Sequence, residues 1–262
     1  MPGRSFDALQ RSLAKGEVRP VYYFFGDEDL LKDDAVRDVL ALAVEAPTRD
    51  FNLDRRRAPE LSAEDFRSLV ETAPMLAARR GVVLTEVECL QQKRAKQQAL
   101  RSALLAYLAH PAPDTVLVLV QSGGTKPDPD LQRGGRGVDF ELLEPARVVR
   151  WIRHHAKKEH GLTLEEEAVR LLQKAVGDDL PQIAAEIAKL ASATQGRAVT
   201  AADVAELVGV RDGETVGDFL AAVTGRRFTA AAAMVPRIMM GPGTSGVRLV
   251  GAMGTALVGL GL

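Results

Sequence analysis

Three short runs decide what this chain can become. Val21-Tyr22-Tyr23-Phe24-Phe25 is apolar and aromatic-rich, and Gly81-Val82-Val83-Leu84-Thr85 and Thr115-Val116-Leu117-Val118-Leu119-Val120 are continuous β-branched or leucine stretches. A strand with one wet face alternates polar and apolar residues. A continuous run suits a strand covered on both faces, as in a parallel sheet. That cover must come from helices, and helical patterns fall between the runs. Phe6 to Leu13 places Phe6, Leu9 and Leu13 on one face, and Leu30 to Val44 carries a stripe of Leu31, Ala35, Val39 and Leu42. Ser62-Ala63-Glu64-Asp65 is a capping pattern ahead of Phe66, Leu69 and Val70. Gln91 to Ala109 reads as a further helix through Leu100, Leu104 and Leu108. Phe51-Asn52-Leu53-Asp54 and Val138 to Leu142 read as two more short strands. Strand and helix alternate, so residues 1–143 are expected to form an α/β domain with a largely parallel sheet.

From Pro145 the pattern is helical only. Pro145 suits a first helical position and Gly161 a helix stop. Thr163-Leu164-Glu165-Glu166 reads as a capping box for a helix facing inward through Ala168, Leu171, Leu172 and Val176, ended by Gly177. Asp179 caps a third helix (Ile183, Ile187, Leu190), closed near Gly196, and Thr200-Ala201-Ala202-Asp203 opens a fourth. Residues 144–210 therefore read as a small helical domain. Arg211-Asp212-Gly213-Glu214 resembles a linker, and two helices around Val216–Val223 and Thr229–Met240 follow, the second interrupted by Pro236. After Gly241-Pro242-Gly243, Val247 to Leu262 is apolar without relief. Residues 211–262 are expected to be the start of a third domain that stops partway, at Gly259-Leu260-Gly261-Leu262. Exposed apolar surface would then impair assembly and favour aggregation.

Charge narrows the function. Among 262 residues the net charge is -1, which argues against a protein built to coat nucleic acid. The one cysteine, Cys89, excludes an intrachain disulfide and fits a reducing cytoplasm. The N-terminal residues lack the apolar core of a secretion signal, and Leu249 to Leu262 is too short and glycine-rich to span a membrane. A cytoplasmic protein without a membrane partner is expected.

The turn after the first apolar run sits where nucleotide-binding α/β domains cradle phosphate with backbone N–H groups, a helix N-terminus and a lysine. A phosphate loop reads Gly-x-x-x-x-Gly-Lys-Ser/Thr. Here the chain offers Gly26-Asp27-Glu28-Asp29-Leu30-Leu31-Lys32-Asp33, without the second glycine or the hydroxyl. Three carboxylates occupy the place of a phosphate; they complement the helix dipole themselves and would repel ATP. Lys32 is the one mimic. Gly123-Gly124-Thr125-Lys126 precedes Pro127 and Pro129 and reads as a flexible loop with no helix after it. Glu86 and Glu88 follow a strand, as a metal-activating pair would, but have no phosphate loop to serve. His154, His155 and His160 lack a completing ligand set and read as a solvated helical face. Cys89 has no histidine partner in sequence, and no Gly-x-Ser-x-Gly elbow occurs. No catalytic, cofactor-binding or metal-binding residue is assigned, and no cofactor is expected.

Basic clusters (Arg55-Arg56-Arg57, Arg79-Arg80, Lys93-Arg94-Lys96, Arg133 with Arg136, and Arg147 to Lys158) lack interleaved aromatics and read as solvated surface, with contact to nucleic-acid phosphates or an acidic protein the minority reading. Met75 and Leu76 stand in a short connector after Pro74. Two readings are open: core packing, or a projecting apolar pair that anchors a partner.

Four blocks together resemble the delta subunit of the bacterial DNA polymerase III clamp loader. They are Pro20 to Leu31, Pro74 to Val83, Thr115 to Val120, and the helical stretch from Trp151 through Gly161-Leu162 to Gly177-Asp178-Asp179-Leu180. The resemblance implies an AAA+-like sheet domain, a small helical lid-type domain and a helical collar-type domain, here incomplete. It implies a subunit without its own ATPase activity, within the polymerase III holoenzyme. Such a subunit binds the sliding clamp and holds it open for loading onto primed DNA, in a heteropentamer-type assembly with other clamp-loader subunits. In the family a Leu-Phe pair wedges into a hydrophobic pocket of the clamp; the corresponding positions are Met75 and Leu76, with an aliphatic in place of the aromatic. An active AAA+ NTPase with an unconventional loop, or a DNA-binding adaptor using the basic patches, are the competing expectations.

Overall fold

Strands form where the apolar runs lie, and all pair in parallel. The computed structural model describes residues 3–135, 137–194, 196–208, 216–239 and 245–259. Arg136, the expected linker Arg211-Asp212-Gly213-Glu214, the Gly241-Pro242-Gly243 break and the final Leu260-Gly261-Leu262 lie outside the described residues. The chain divides into two compact units, Met1–Leu142 and Leu143–Leu262.

The first unit runs α1 (Gly3–Ala14), β1 (Val21–Phe25), α2 (Asp29–Ala43), α3 (Arg49–Asn52), β2 (Leu53–Arg57), α4 (Ala63–Glu71), β3 (Arg80–Thr85), α5 (Ala95–Ala109), β4 (Thr115–Val120), α6 (Pro129–Gly135) and β5 (Gly137–Asp139). The sheet order is β2-β3-β4-β1-β5. Tyr22 lies opposite Val118, Val83 opposite Val118 from the other side, and Phe24 opposite Val138. Alternate residues face opposite layers. Val21, Tyr23 and Phe25, with Val82, Leu84, Leu117 and Leu119, pack on Phe66 and Val70 of α4 and Leu100 and Leu104 of α5. Phe24 points to the other layer, where its ring meets Phe140 at 5.0 Å, and Phe140 meets Phe6 at 5.3 Å.

Four local expectations are corrected. Phe51-Asn52 is not strand: it belongs to α3, where the Asn52 side chain donates back to Thr48 O at 3.0 Å. The strand starts at Leu53 and continues through Arg55, Arg56 and Arg57, a charged row of the kind an edge strand tolerates. The Gln91 helix starts only at Ala95, because Val87–Gln91 is a 3-10 turn that buries Val87, Cys89 and Leu90. The loop after Gly123-Gly124 does carry a helix, α6; its Leu131 is fully buried, and Asp128 accepts from the Asp130 N–H at its start. The last strand stops at Asp139, short of Leu142. The capping box at Ser62 and Asp65 forms as the pattern predicts.

The second unit holds α7 (Pro145–His160), α8 (Glu166–Val176), α9 (Leu180–Thr194), α10 (Ala201–Leu207), α11 (Val216–Thr224), α12 (Phe228–Ile238) and α13 (Gly246–Gly259). Gly161 ends α7 in the left-handed conformation, which a side chain would disfavour. The predicted box at Thr163 does not form. Leu164 bridges Val199 instead, so α8 starts two residues later with Glu165 as its N-cap. Thr200 and Asp203 do form a capping box, and Arg197 pairs with Asp203. His155 is not solvated: it is buried with its ring stacked 4.5 Å from Trp151, while His154 is exposed. Pro236 lies inside α12, which continues to Ile238. Phe219, Ala222, Val223, Ala231, Ile238 and Leu249 make an apolar cluster among α11, α12 and α13.

Candidate functional site

Two segments of the first unit bear on function, and they lie at opposite ends of its parallel sheet. One comprises the loops leaving β1 and β4, at the carboxyl ends of adjacent strands, where parallel α/β sheets bind ligands. The other is the connector from α4 into β3, at the amino end.

At the carboxyl end, Gly26 turns with φ +105, and a Cβ there would stand 2.5 Å from Phe140 O. The Glu28 N–H donates to Phe140 O (2.9 Å), and Asp27 Oδ1 accepts from the Gly124 N–H (2.7 Å). Lys32 is 1% exposed. Its ammonium donates to Gly26 O (2.7 Å) and Gln121 O (2.6 Å) and lies 2.7 Å from Asp29 Oδ1. An ammonium has three donors, and these three partners use them. The lysine thus ties the end of β1 to the end of β4 instead of reaching outward. Beside it, a cleft of about 460 Å³ is lined by Asp27, Asp139 and Glu141 among others. Burial raises the Asp139 carboxyl above its usual range, and the charges of Glu141 and Asp27 raise it further. Such a cleft disfavours phosphate.

The other candidates at this end are also engaged internally. Glu86 pairs with Arg57 (2.6 Å), and Glu88 accepts from the Ser122 N–H (3.1 Å). Cys89 is buried, and its thiol is pushed up to about 11, by burial first and then by Glu88 and Glu86. A thiol in that state is a poor nucleophile. Among the described residues no group of three or more His, Cys, Asp or Glu side chains is placed to hold a metal ion.

The amino end differs. Met75 is 55% exposed and Leu76 is 89% exposed. Leu76 has φ 53, a left-handed conformation that costs a branched apolar residue about 1 kcal/mol or more. Two fully or nearly buried polar side chains hold this connector. Asn52 accepts from the Met75 N–H (2.7 Å) and donates to Met75 O (2.8 Å). Arg80 donates to Thr72 O (3.0 Å) and pairs with Asp54. The start, middle and end of the connector are therefore fixed from beneath, and Leu76 projects.

The comparisons with known proteins fit this arrangement. Residues 22–131 match the family model described as DNA polymerase III, delta subunit. That match takes in the acidic turn, Lys32 and the Met75-Leu76 connector. Over these residues the chain is similar to the delta subunit. DNA polymerase III subunit delta of Bacillus subtilis (strain 168) is 36% identical over 112 residues, covering 42% of this chain and 32% of the relative. The matched stretch is thus about a third of that protein's length. The solved structure of the Bacillus subtilis DNA clamp loader delta protein (YqeN) superposes with a TM-score of 0.62 at 25% identity, covering 95% of this chain and 75% of the other. A mutant of Thermotoga maritima RuvB shares the fold at 12% identity, TM-score 0.52, covering 88% of this chain and 80% of RuvB. The fold is α/β, as the alternation of strand and helix predicted, and AAA+-like, as the resemblance implied.

Sequence reasoning missed Asn52 and Arg80. The sequence pattern reads Asn52 as strand and Arg80 as part of a surface cluster. Arg80 carried a usable signal, because it opens a run whose other members are apolar, and such strands are buried on both faces. Asn52 carried none, since its partner Met75 lies 23 residues away.

Proposed function

We propose that this chain is a non-catalytic clamp-loader subunit that docks on a sliding clamp through Met75 and Leu76. The observation that carries the reading is the Leu76 side chain, almost wholly exposed in a strained backbone conformation held by buried groups. A large apolar residue kept at that cost is well suited to fill a pocket on a partner. The delta-family match over the same residues supports the choice of partner.

Clamp opening then needs no covalent chemistry from this subunit. Binding energy realised preferentially on an open ring shifts the closed-open equilibrium toward open. ATP turnover would belong to other loader subunits, and primed DNA would be met through the assembled complex. The internal engagement of Lys32 favours this division of labour over an NTPase with an unconventional loop. In the same reading residues 144–210 serve as the lid-type part, residues 211–262 as the collar-type part, and the protein works in the cytoplasm. Among the described residues no helix is long and apolar enough to cross a membrane.

The test is binding of the full chain to the sliding clamp by surface plasmon resonance, repeated with Met75→Ala/Leu76→Ala. The double variant is expected to bind about 100-fold more weakly, as loss of a central apolar anchor does. Equal binding by both proteins sinks the anchor assignment, and no binding by the wild type sinks the clamp reading.

A further inference from the structure

We propose that Asn52 is the positioning residue of the docking connector: it holds Leu76 in its projecting conformation without touching the partner. The inference deepens the docking role proposed above and rests on it for its functional consequence. Asn52 is fully buried, yet its amide meets both backbone polar groups of Met75, accepting at 2.7 Å and donating at 2.8 Å. A side-chain amide that matches the N–H and C=O of one residue imitates the pairing of a neighbouring strand. It fixes the peptide planes on either side of Met75, and the residue that follows is the left-handed Leu76. The second bond of the amide N–H pair, to Thr48 O at 3.0 Å, anchors Asn52 itself within the preceding turn.

Energetics favour positioning over simple packing. Alone, a connector with Leu76 at φ 53 would relax toward ordinary backbone angles, because the left-handed state is disfavoured for leucine. Two hydrogen bonds from a buried, pre-anchored side chain are the right size to oppose that relaxation. Pre-organisation of this kind lowers the ordering cost when a partner binds. Arg80 restrains the ends of the connector, at Thr72 and at its own position, but reaches neither Met75 nor Leu76 by any hydrogen bond. Asn52, by contrast, bonds the backbone at Met75, directly before the left-handed Leu76.

The experiment uses the full chain and two substitutions. Asn52→Leu keeps the branched shape and number of side-chain heavy atoms and removes all three bonds, two to Met75 and one to Thr48 O; Asn52→Asp keeps the acceptor for the Met75 N–H and removes the donor. The first readout, independent of any partner, is amide hydrogen exchange across residues 72–80. Asn52→Leu is expected to speed exchange at Met75 about 10-fold or more while β3 and β4 amides keep their protection. Asn52→Asp is expected to fall between Asn52→Leu and wild type. The second readout is sliding-clamp affinity. Asn52→Leu is expected to weaken it about 10-fold in the wild-type background, and not to weaken it further when Met75 and Leu76 are already alanine.

Unchanged exchange at Met75 in both variants overturns the proposal. An equal affinity loss in the presence and absence of the Met75-Leu76 side chains overturns it too, since Asn52 would then act elsewhere. If Asn52→Leu loses protection throughout the sheet, Asn52→Asp decides by the same two criteria. Should the wild type fail to bind the clamp at all, the docking role fails, and the exchange data still decide whether Asn52 sets the connector.

Discussion

The two ends of the sheet use the same device for opposite purposes. At the carboxyl end a buried cation, Lys32, joins the loops after β1 and β4, and the surface there closes over satisfied polar groups. At the amino end a buried cation, Arg80, joins Thr72 to Asp54, and the segment it spans lifts two apolar side chains into solvent. Both cations spend their hydrogen bonds inside the protein. The difference lies in what the fixed loop presents: carboxylates around a shallow cleft in one case, Met75 and Leu76 in the other. A buried basic residue in an α/β frame therefore need not mark a ligand site; it can equally mark the support of one.

The largest effect should come from breaking the carboxyl-end lock. Lys32→Met takes the donor from half-buried Gly26 O and buried Gln121 O, and each lost partner costs roughly 1–3 kcal/mol. Urea denaturation should show a loss of about 3 kcal/mol, with ATP binding undetectable before and after. Micromolar ATP affinity in the wild type that disappears in Lys32→Met would mean the lysine serves a nucleotide after all.

Breaking the amino-end support should cost somewhat less. Arg80→Met strips Thr72 O and the Asp54 carboxylate of their partner, but Asp54 is partly exposed and water can replace one bond. A loss of about 2 kcal/mol is expected. Clamp binding should weaken with it, because the ends of the connector are released. An Arg80→Met protein as stable as wild type would mean the burial of Arg80 is incidental.

Smaller, and of opposite sign, is the effect of Leu76→Asn. Asparagine tolerates the left-handed conformation that leucine resists, and the exposed leucine side chain contributes little packing. The variant should be about 0.5 kcal/mol more stable than wild type in urea, while clamp binding falls as far as in Leu76→Ala. Stability and docking moving in opposite directions is the signature of strain kept for a partner. A destabilised Leu76→Asn protein would remove the strain argument.

Much of this contrast was legible in the residues. The apolar runs announced strands covered on both faces, and all three became strands of a parallel sheet. The acidic turn announced a poor phosphate site, because charge type at a loop is a local property. What local reading could not supply were partnerships across the chain. Lys32 mimics a phosphate-loop lysine in sequence alone, and its actual engagement depends on Gln121, 89 residues away. The helix α6 was hidden by its prolines and by the absence of an apolar stripe longer than Leu131. For Met75 and Leu76, packing and projection were equally consistent with the sequence. The choice is made by Asn52, whose neighbours Phe51 and Leu53 suggested a strand.

The smallest effect distinguishes the acidic cleft from ordinary surface carboxylates, and its sign is fixed by linkage. Asp139 is raised above the usual carboxylate range by burial, then by Glu141 and Asp27. A carboxyl with a raised folded-state pKa binds protons more readily in the folded protein than in the unfolded chain. Its contribution to stability is therefore lost as pH rises through that pKa. Asp139→Asn should raise the melting temperature at pH 7, and the gain should shrink toward nil by about pH 3, where wild-type Asp139 is also neutral. Asp203 provides the opposite case, because hydrogen bonds from Arg197 and Thr200 hold its carboxyl well below the usual range. Asp203→Asn should lower the melting temperature at pH 7, and the deficit should close as pH falls through the carboxylate range. Parallel pH profiles for the two substitutions would show that Asp139 sits in no unfavourable field. The carboxyl end would then be merely closed to phosphate by geometry, with no electrostatic contribution from its own acids.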